Sequence, residues 1–137
     1  MGMTVEISRR LLAEIDAAAA AAAPREACGL LFGDSDAITA WKLAENVAAT
    51  PETHFEIDPV TLFAAIRGER AGGPRLIGYW HSHPNGDAAP SPTDAAMAAP
   101  DGKYWLIVAR GEATCWRAAE RGSRHGRFDP MVLSPIA

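Results

Sequence analysis

At 137 residues the chain has the length of one small domain, and its 48% hydrophobic and 22% charged residues are ordinary globular usage. The 13 Lys and Arg against 17 Asp and Glu leave a net charge of −4, which excludes nucleic-acid binding driven by bulk charge and a polybasic membrane anchor. Two cysteines, Cys28 and Cys115, are too few for a disulfide scaffold, so a reducing, cytoplasmic compartment is expected.

Residues 4–7 alternate as a short strand, and Ser8 can cap the helix that follows. Ser8-Arg9-Arg10-Leu11-Leu12 before an alanine run imitates a twin-arginine export signal, but Glu14 and Asp16 fall where an apolar segment should be. Leu11, Leu12, Ile15, Ala18, Ala19 and Ala22 instead form one helical stripe, which Pro24 ends. No stretch reaches the ~20 apolar residues of a bilayer span. Residues 27–32 read as a buried strand closed by Gly33-Asp34-Ser35-Asp36, and 37–43 as its returning partner. Pro51 marks a loop and 54–57 a short strand. Asp58-Pro59 opens a helix through Val60, Leu62, Phe63 and Ile66, broken by Gly72-Gly73-Pro74. A strand over 75–81, a loop over 84–90 and a short helix from Ser91-Pro92 to Met97 follow. Residues 104–109 and 113–118 read as a hairpin. Beyond Glu120 the chain is polar and thinly basic (Arg121, Arg124, Arg127), with Met131-Val132-Leu133 as a segment that could dock. The order β-α-β-β-β-α-β-α-β-β predicts a mixed sheet with helices packed on it, of α/β or α+β class.

The chemistry concentrates in Gly78-Tyr79-Trp80-His81-Ser82-His83-Pro84 and Ser91-Pro92-Thr93-Asp94. Residues two apart on a strand share a face, so His81 and His83 project together, ~7 Å apart at Cα. Pro84 then forces the chain off the sheet. Asp94, 11 residues after His83, lies in the first turn of a helix, from which a carboxylate can reach back. Two imidazoles and one carboxylate suit zinc and leave one position for water, the hydrolytic arrangement. The plainer reading of Ser91 and Asp94 is a capping box, Ser at N-cap and Asp at N3. The two readings are compatible, because a capped helix start is a rigid mount for a ligand. A hydrolase also needs a general base. Glu26, Glu45, Glu52, Glu56, Asp58 and Asp87 are all candidates, with Glu26 favoured by its place directly before the apolar 27–32 strand.

Glu26, then His81-Ser82-His83-Pro84, six intervening residues and Ser91-Pro92-Thr93-Asp94 resemble the JAMM (MPN+) metalloprotease motif, and every motif position is filled at the expected spacing. Glu26-Ala27-Cys28-Gly29-Leu30-Leu31-Phe32-Gly33 resembles the family's first strand, and Asn46 with Phe55-Glu56-Ile57-Asp58-Pro59 its central segment. The likeness spans about residues 4–118 of a single 1–137 domain and leaves 119–137 as a C-terminal tail. It implies a cytidine-deaminase-like α/β/α sandwich around a mixed sheet, and one Zn2+ per chain on His81, His83 and Asp94. It further implies Glu26 as base and proton donor, and Ser91 as hydrogen-bond donor to the oxyanion. The implied reaction is amide or isopeptide hydrolysis after the C-terminal Gly-Gly of a ubiquitin-like or sulfur-carrier protein.

Two other functions stand beside it: a metal-free scaffold subunit, against which the complete ligand set counts, and an amidase of cell-wall peptides. Exposed sheet edges leave room for a homodimer. Cys28 reads as a buried core thiol despite its nearness to Glu26, and Tyr79 and Trp80 as core packing. His54 and His125 read as non-ligands.

Overall fold

The computed structural model describes residues 3–137. Its elements are β1 (Thr4–Ser8), α1 (Arg9–Ala22), β2 (Cys28–Gly33), β3 (Ala37–Ala44), α2 (Pro59–Arg70), β4 (Leu76–Ser82), α3 (Pro92–Met97), β5 (Tyr104–Ala109), β6 (Glu112–Gly122) and β7 (Gly126–Ile136). The strands form one mixed sheet in the order β1-β3-β2-β4-β5-β6-β7, which closes on itself because β1 pairs in parallel with both β3 and β7. The expected mixed α/β class is what the chain adopts, with three helices on the sheet. Closure also removes most of the free edge that had left room for a homodimer.

Local chemistry explains the helix starts. The Ser8 hydroxyl accepts from the Leu11 amide at 3.0 Å, and Asp58 accepts from the Thr61 amide at 3.0 Å with Pro59 in the first turn. The predicted stripe of α1 packs onto the sheet: Leu11 and Ile15 are buried, and Leu12, Ala18, Ala19 and Ala22 border the same cluster.

Strand alternation divides the core in two. Trp80, Leu106 and Val108 face the α1 side with Val5, Ile7 and Leu31. Cys28, Trp105, Ile107 and Phe128 face the other side with Phe55. The registers Cys28↔His81 and His81↔Ile107 place His81 in the second row. That row ends where β4 ends.

Two expectations are corrected. Residues 54–57 form no strand; their pairing is one isolated bridge between Asn46 and Ile57, because Asn46 draws this segment into an irregular loop instead. Residues 119–137 are not a solvated tail. They complete β6 and build β7, whose Phe128 is wholly buried against Trp105 at 5.1 Å between ring centroids. The polar and basic composition that suggested a tail belongs to strands with one face in solvent. Phe128→Ala should accordingly cost ~3–5 kcal/mol in urea unfolding, whereas Ile136→Ala, at a position 41% exposed, should change stability little. A Phe128→Ala midpoint equal to wild type would restore the tail reading.

Candidate metal centre

The site is built where β4 runs out. His81, still in the strand, is completely buried. Phe55 stacks on its ring at 4.3 Å between centroids, and Trp105 meets it edge-on at 5.7 Å. His83 lies just past the strand, where its amide donates to the Val108 carbonyl at 3.0 Å. Their Nε2 atoms come within 2.9 Å of each other. Asp94, 4% exposed, brings its carboxylate to 3.3 Å from His81 Nε2 and 3.2 Å from His83 Nε2. Glu26 offers an oxygen that lies with both imidazoles inside a 4.8 Å group able to hold a metal ion.

The donor set fits such an ion. Ligand atoms each about 2.0–2.1 Å from a tetrahedral zinc stand about 3.3 Å apart, close to the separations just given. Two imidazole nitrogens facing each other in a buried site are otherwise an uneasy pair, since at most one can donate while the other accepts. Glu26 Oε1 and His81 Nδ1 are buried without a hydrogen-bond partner, a cost that a site built only for packing would not carry.

Each side chain has its own mount. Ser91 caps α3: its hydroxyl accepts from the Asp94 amide at 3.0 Å, and Asp94 Oδ2 accepts from the Ser91 amide at 3.0 Å. The capping box and the contact with the histidines thus share one carboxylate, as the sequence allowed. His83 Nδ1 donates to the Asp87 carbonyl at 2.8 Å, which fixes the ring with Nε2 turned toward His81 and Asp94. Among the six candidate bases, burial singles out one. Glu26 is 7% exposed, Glu45, Glu52, Glu56 and Asp87 are exposed, and Asp58 is engaged as the cap of α2.

Other expectations resolve as follows. Cys28 is buried in the core with Sγ toward the Ala44 and Glu45 carbonyls, and burial pushes its thiol up to about 12. Both cysteines are free. Trp80 is wholly buried and Tyr79 packs in the second cluster. His54 pairs with the Thr50 and Thr53 hydroxyls, away from the site.

His125 is no ligand, yet it supports the site. From the β6–β7 turn its Nε2 bonds the Pro90 carbonyl at 3.1 Å, while Thr114 Oγ1 donates to the Ala88 carbonyl. Together they hold the 84–90 loop that precedes Ser91. Asn46, at 8% exposure, donates to the carbonyls of Glu26 and His54 and accepts from the amides of Ala48 and Glu56. The functions of His125 and Thr114 had no signal in the sequence, because each acts through a backbone carbonyl far away along the chain.

A closed mixed sheet with a His-His-Glu group at a strand end defines a metalloprotease domain of the JAMM type. The chain belongs to the family of prokaryotic homologues of the JAB domain, whose pattern matches residues 8–120. It is 35% identical over 109 residues to a desampylase of Haloferax volcanii, covering 78% of each chain. It is 36% identical over 97 residues to a probable TtuB-protein conjugate cleaving protease of Thermus thermophilus, covering 71% of this chain and 65% of that one. A crystal structure of a JAB/MPN-domain protein from Archaeoglobus fulgidus superposes with a TM-score of 0.60 at 25% identity, over 95% of this chain and 99% of the other.

The two carboxyls of the site are driven apart. Burial is the main force on Glu26 and, with Asp94 nearby and His83 opposing, pushes its carboxyl up to about 7. Burial also acts on Asp94, but the hydrogen bonds from His81 and His83 overcome it and hold that carboxyl well below the usual range. Burial keeps His81 below its ordinary value. For His83 burial is again the largest influence, yet Asp94 and the Asp87 carbonyl outweigh it and raise the ring.

Since Glu26 has a folded-state pKa above its ordinary 4.5, it holds its proton more tightly when folded. Its stabilising contribution is complete below about 4.5 and is lost as pH rises through about 7. In protein freed of metal by chelation, Glu26→Gln should therefore be more stable than wild type at pH 8 by ~1–2 kcal/mol, discounting for solvent screening. The gain should vanish near pH 4. Thermal unfolding at both pH values measures it, and a difference independent of pH would refute the burial argument.

Proposed function

We propose that the protein hydrolyses the amide or isopeptide bond that follows the C-terminal Gly-Gly of a ubiquitin-like or sulfur-carrier protein. The observation that carries this reading is the meeting of His81 Nε2, His83 Nε2 and the Asp94 carboxylate within 3.3 Å, with the buried Glu26 beside them. His81, His83 and Asp94 would hold one Zn2+. Bound there, zinc would polarise the scissile carbonyl and lower the pKa of the attacking water.

Glu26 is the base. A carboxyl poised near neutrality can take a proton from water and pass it to the leaving nitrogen. Ser91 is the remaining donor. Its oxygen already accepts from the Asp94 amide, but the cap does not use its O–H, which is free to donate to the oxyanion of the tetrahedral intermediate. The Thermus relative is by its name a probable cleaver of a protein conjugate and the Haloferax relative a desampylase, and both support the same substrate class for this chain. The expected setting is a reducing cytoplasm; no helix among the described residues is long and apolar enough to cross a membrane.

Intact-mass spectrometry of ubiquitin-like-Gly-Gly–amino-acid conjugates incubated with zinc-loaded protein tests the reading. Wild type should release the carrier ending in Gly-Gly, and chelation should abolish release. Glu26→Ala should keep its zinc yet lose ~10²–10⁴-fold in rate, the range for a removed general base. Asp94→Asn should lose zinc as well. A folded wild type that binds no zinc and cleaves nothing would overturn the assignment.

A further inference from the structure

Nothing at the carboxyl end holds Glu26 Oε1, which is buried without a partner. The direction of the side chain must therefore be set from its backbone. The Glu26 amide donates to the Pro51 carbonyl at 2.7 Å, and its own carbonyl accepts from Asn46 Nδ2 at 2.9 Å. The other end of that same peptide, the Ala27 N–H, donates to Ser82 Oγ at 2.8 Å in a fully buried contact.

This last bond departs from the sheet pattern in an informative way. In an antiparallel ladder a hydrogen-bonded pair exchanges two N–H···O=C bonds. Ala27 and Ser82, one step beyond the Cys28↔His81 pair, make the first of them: Ser82 N–H donates to the Ala27 carbonyl at 3.0 Å. The second would need the Ser82 carbonyl. At this point, though, the strand ends: β4 stops at Ser82 and Pro84 follows two residues on. The Ser82 hydroxyl stands in for the missing carbonyl. Among the described residues it is the one side-chain group that ties the peptide beside Glu26 directly to the dipeptide step between His81 and His83.

We propose that Ser82 is a positioning residue, whose hydroxyl fixes the aim of Glu26 relative to the two histidines through the Ala27 amide. The inference rests on Glu26 being the base. It gives the residue between the histidines a task distinct from metal binding, since Ser82 is 3% exposed and its Oγ is committed to the backbone.

The test compares Ser82→Ala and Ser82→Thr in the full chain, with two independent readouts. The first needs no activity: three-bond NMR couplings of the Glu26 side chain and hydrogen exchange of the Ala27 amide. Wild type and Ser82→Thr should show one Glu26 rotamer and a protected Ala27 amide. Ser82→Ala should show averaged couplings and exchange ~10-fold or more faster, as expected when a buried amide loses its acceptor. The second readout is kinetic, on the conjugates of the preceding section. Ser82→Ala should keep zinc and KM but lose ~10–100-fold in kcat, the scale of a misaligned catalytic group. Threonine should restore the rate, and in a Glu26→Gln background Ser82→Ala should cause no further loss. Unchanged Glu26 couplings in Ser82→Ala, or an equal loss of rate with and without Glu26, would overturn the proposal. If wild type cleaves no conjugate, the substrate reading fails, while the couplings still decide the role of Ser82.

Discussion

The register between β2 and β4 is the constraint on which the site depends. Because Cys28 pairs with His81, the backbone just before β2 lies beside the backbone just after His81, and Glu26 arrives next to two imidazoles from 55 residues away. Side chains alternate along a strand, so a slip of one residue would turn His81 and His83 to the opposite face of the sheet. The register is held from both faces. Trp80 packs with the α1-side core, while His81 sits between Phe55 and Trp105.

Given that register, the two acidic residues differ through their surroundings. Asp94 begins a capped helix and meets both imidazoles as well as a backbone amide, so its charge is well compensated. Glu26 is buried with far less compensation and remains close to neutrality in its titration. Separating two carboxyls in this way lets one site contain both an ionised carboxylate and one that titrates near neutrality. It also means that the fold tolerates a destabilising group where the chemistry occurs, a common feature of functional sites.

The supports lie far out in the chain. The β6–β7 hairpin closes the sheet onto β1 and, through Thr114 and His125, grips the loop that delivers Ser91 and Asp94. On the other side Asn46 gathers the 46–56 segment against Glu26 with bonds to four different backbone groups at 2.9–3.1 Å. In both cases a polar side chain replaces a strand partner for backbone that has left the sheet, as buried backbone requires.

Much of this was written locally. Helix caps, the α1 stripe, the turn after Phe32, the strand carrying the histidines and the capping box of Ser91 and Asp94 depend on neighbours within about four residues, so the amino-acid order alone determined them. The spacing of His81, His83 and Asp94 determined that three metal-type donors could meet. Position before an apolar strand favoured Glu26 among six acidic residues, but only the tertiary structure brings it beside the histidines and buries it, because burial and register are properties of packed strands and not of spacing. The same holds for the C-terminal residues, whose polar and basic composition reads as a tail until β1 and β6 give β7 partners on both sides. It holds for Ser82, Thr114 and His125, whose partners are backbone groups brought close by the fold, and a backbone group leaves no residue type in the sequence by which to recognise it.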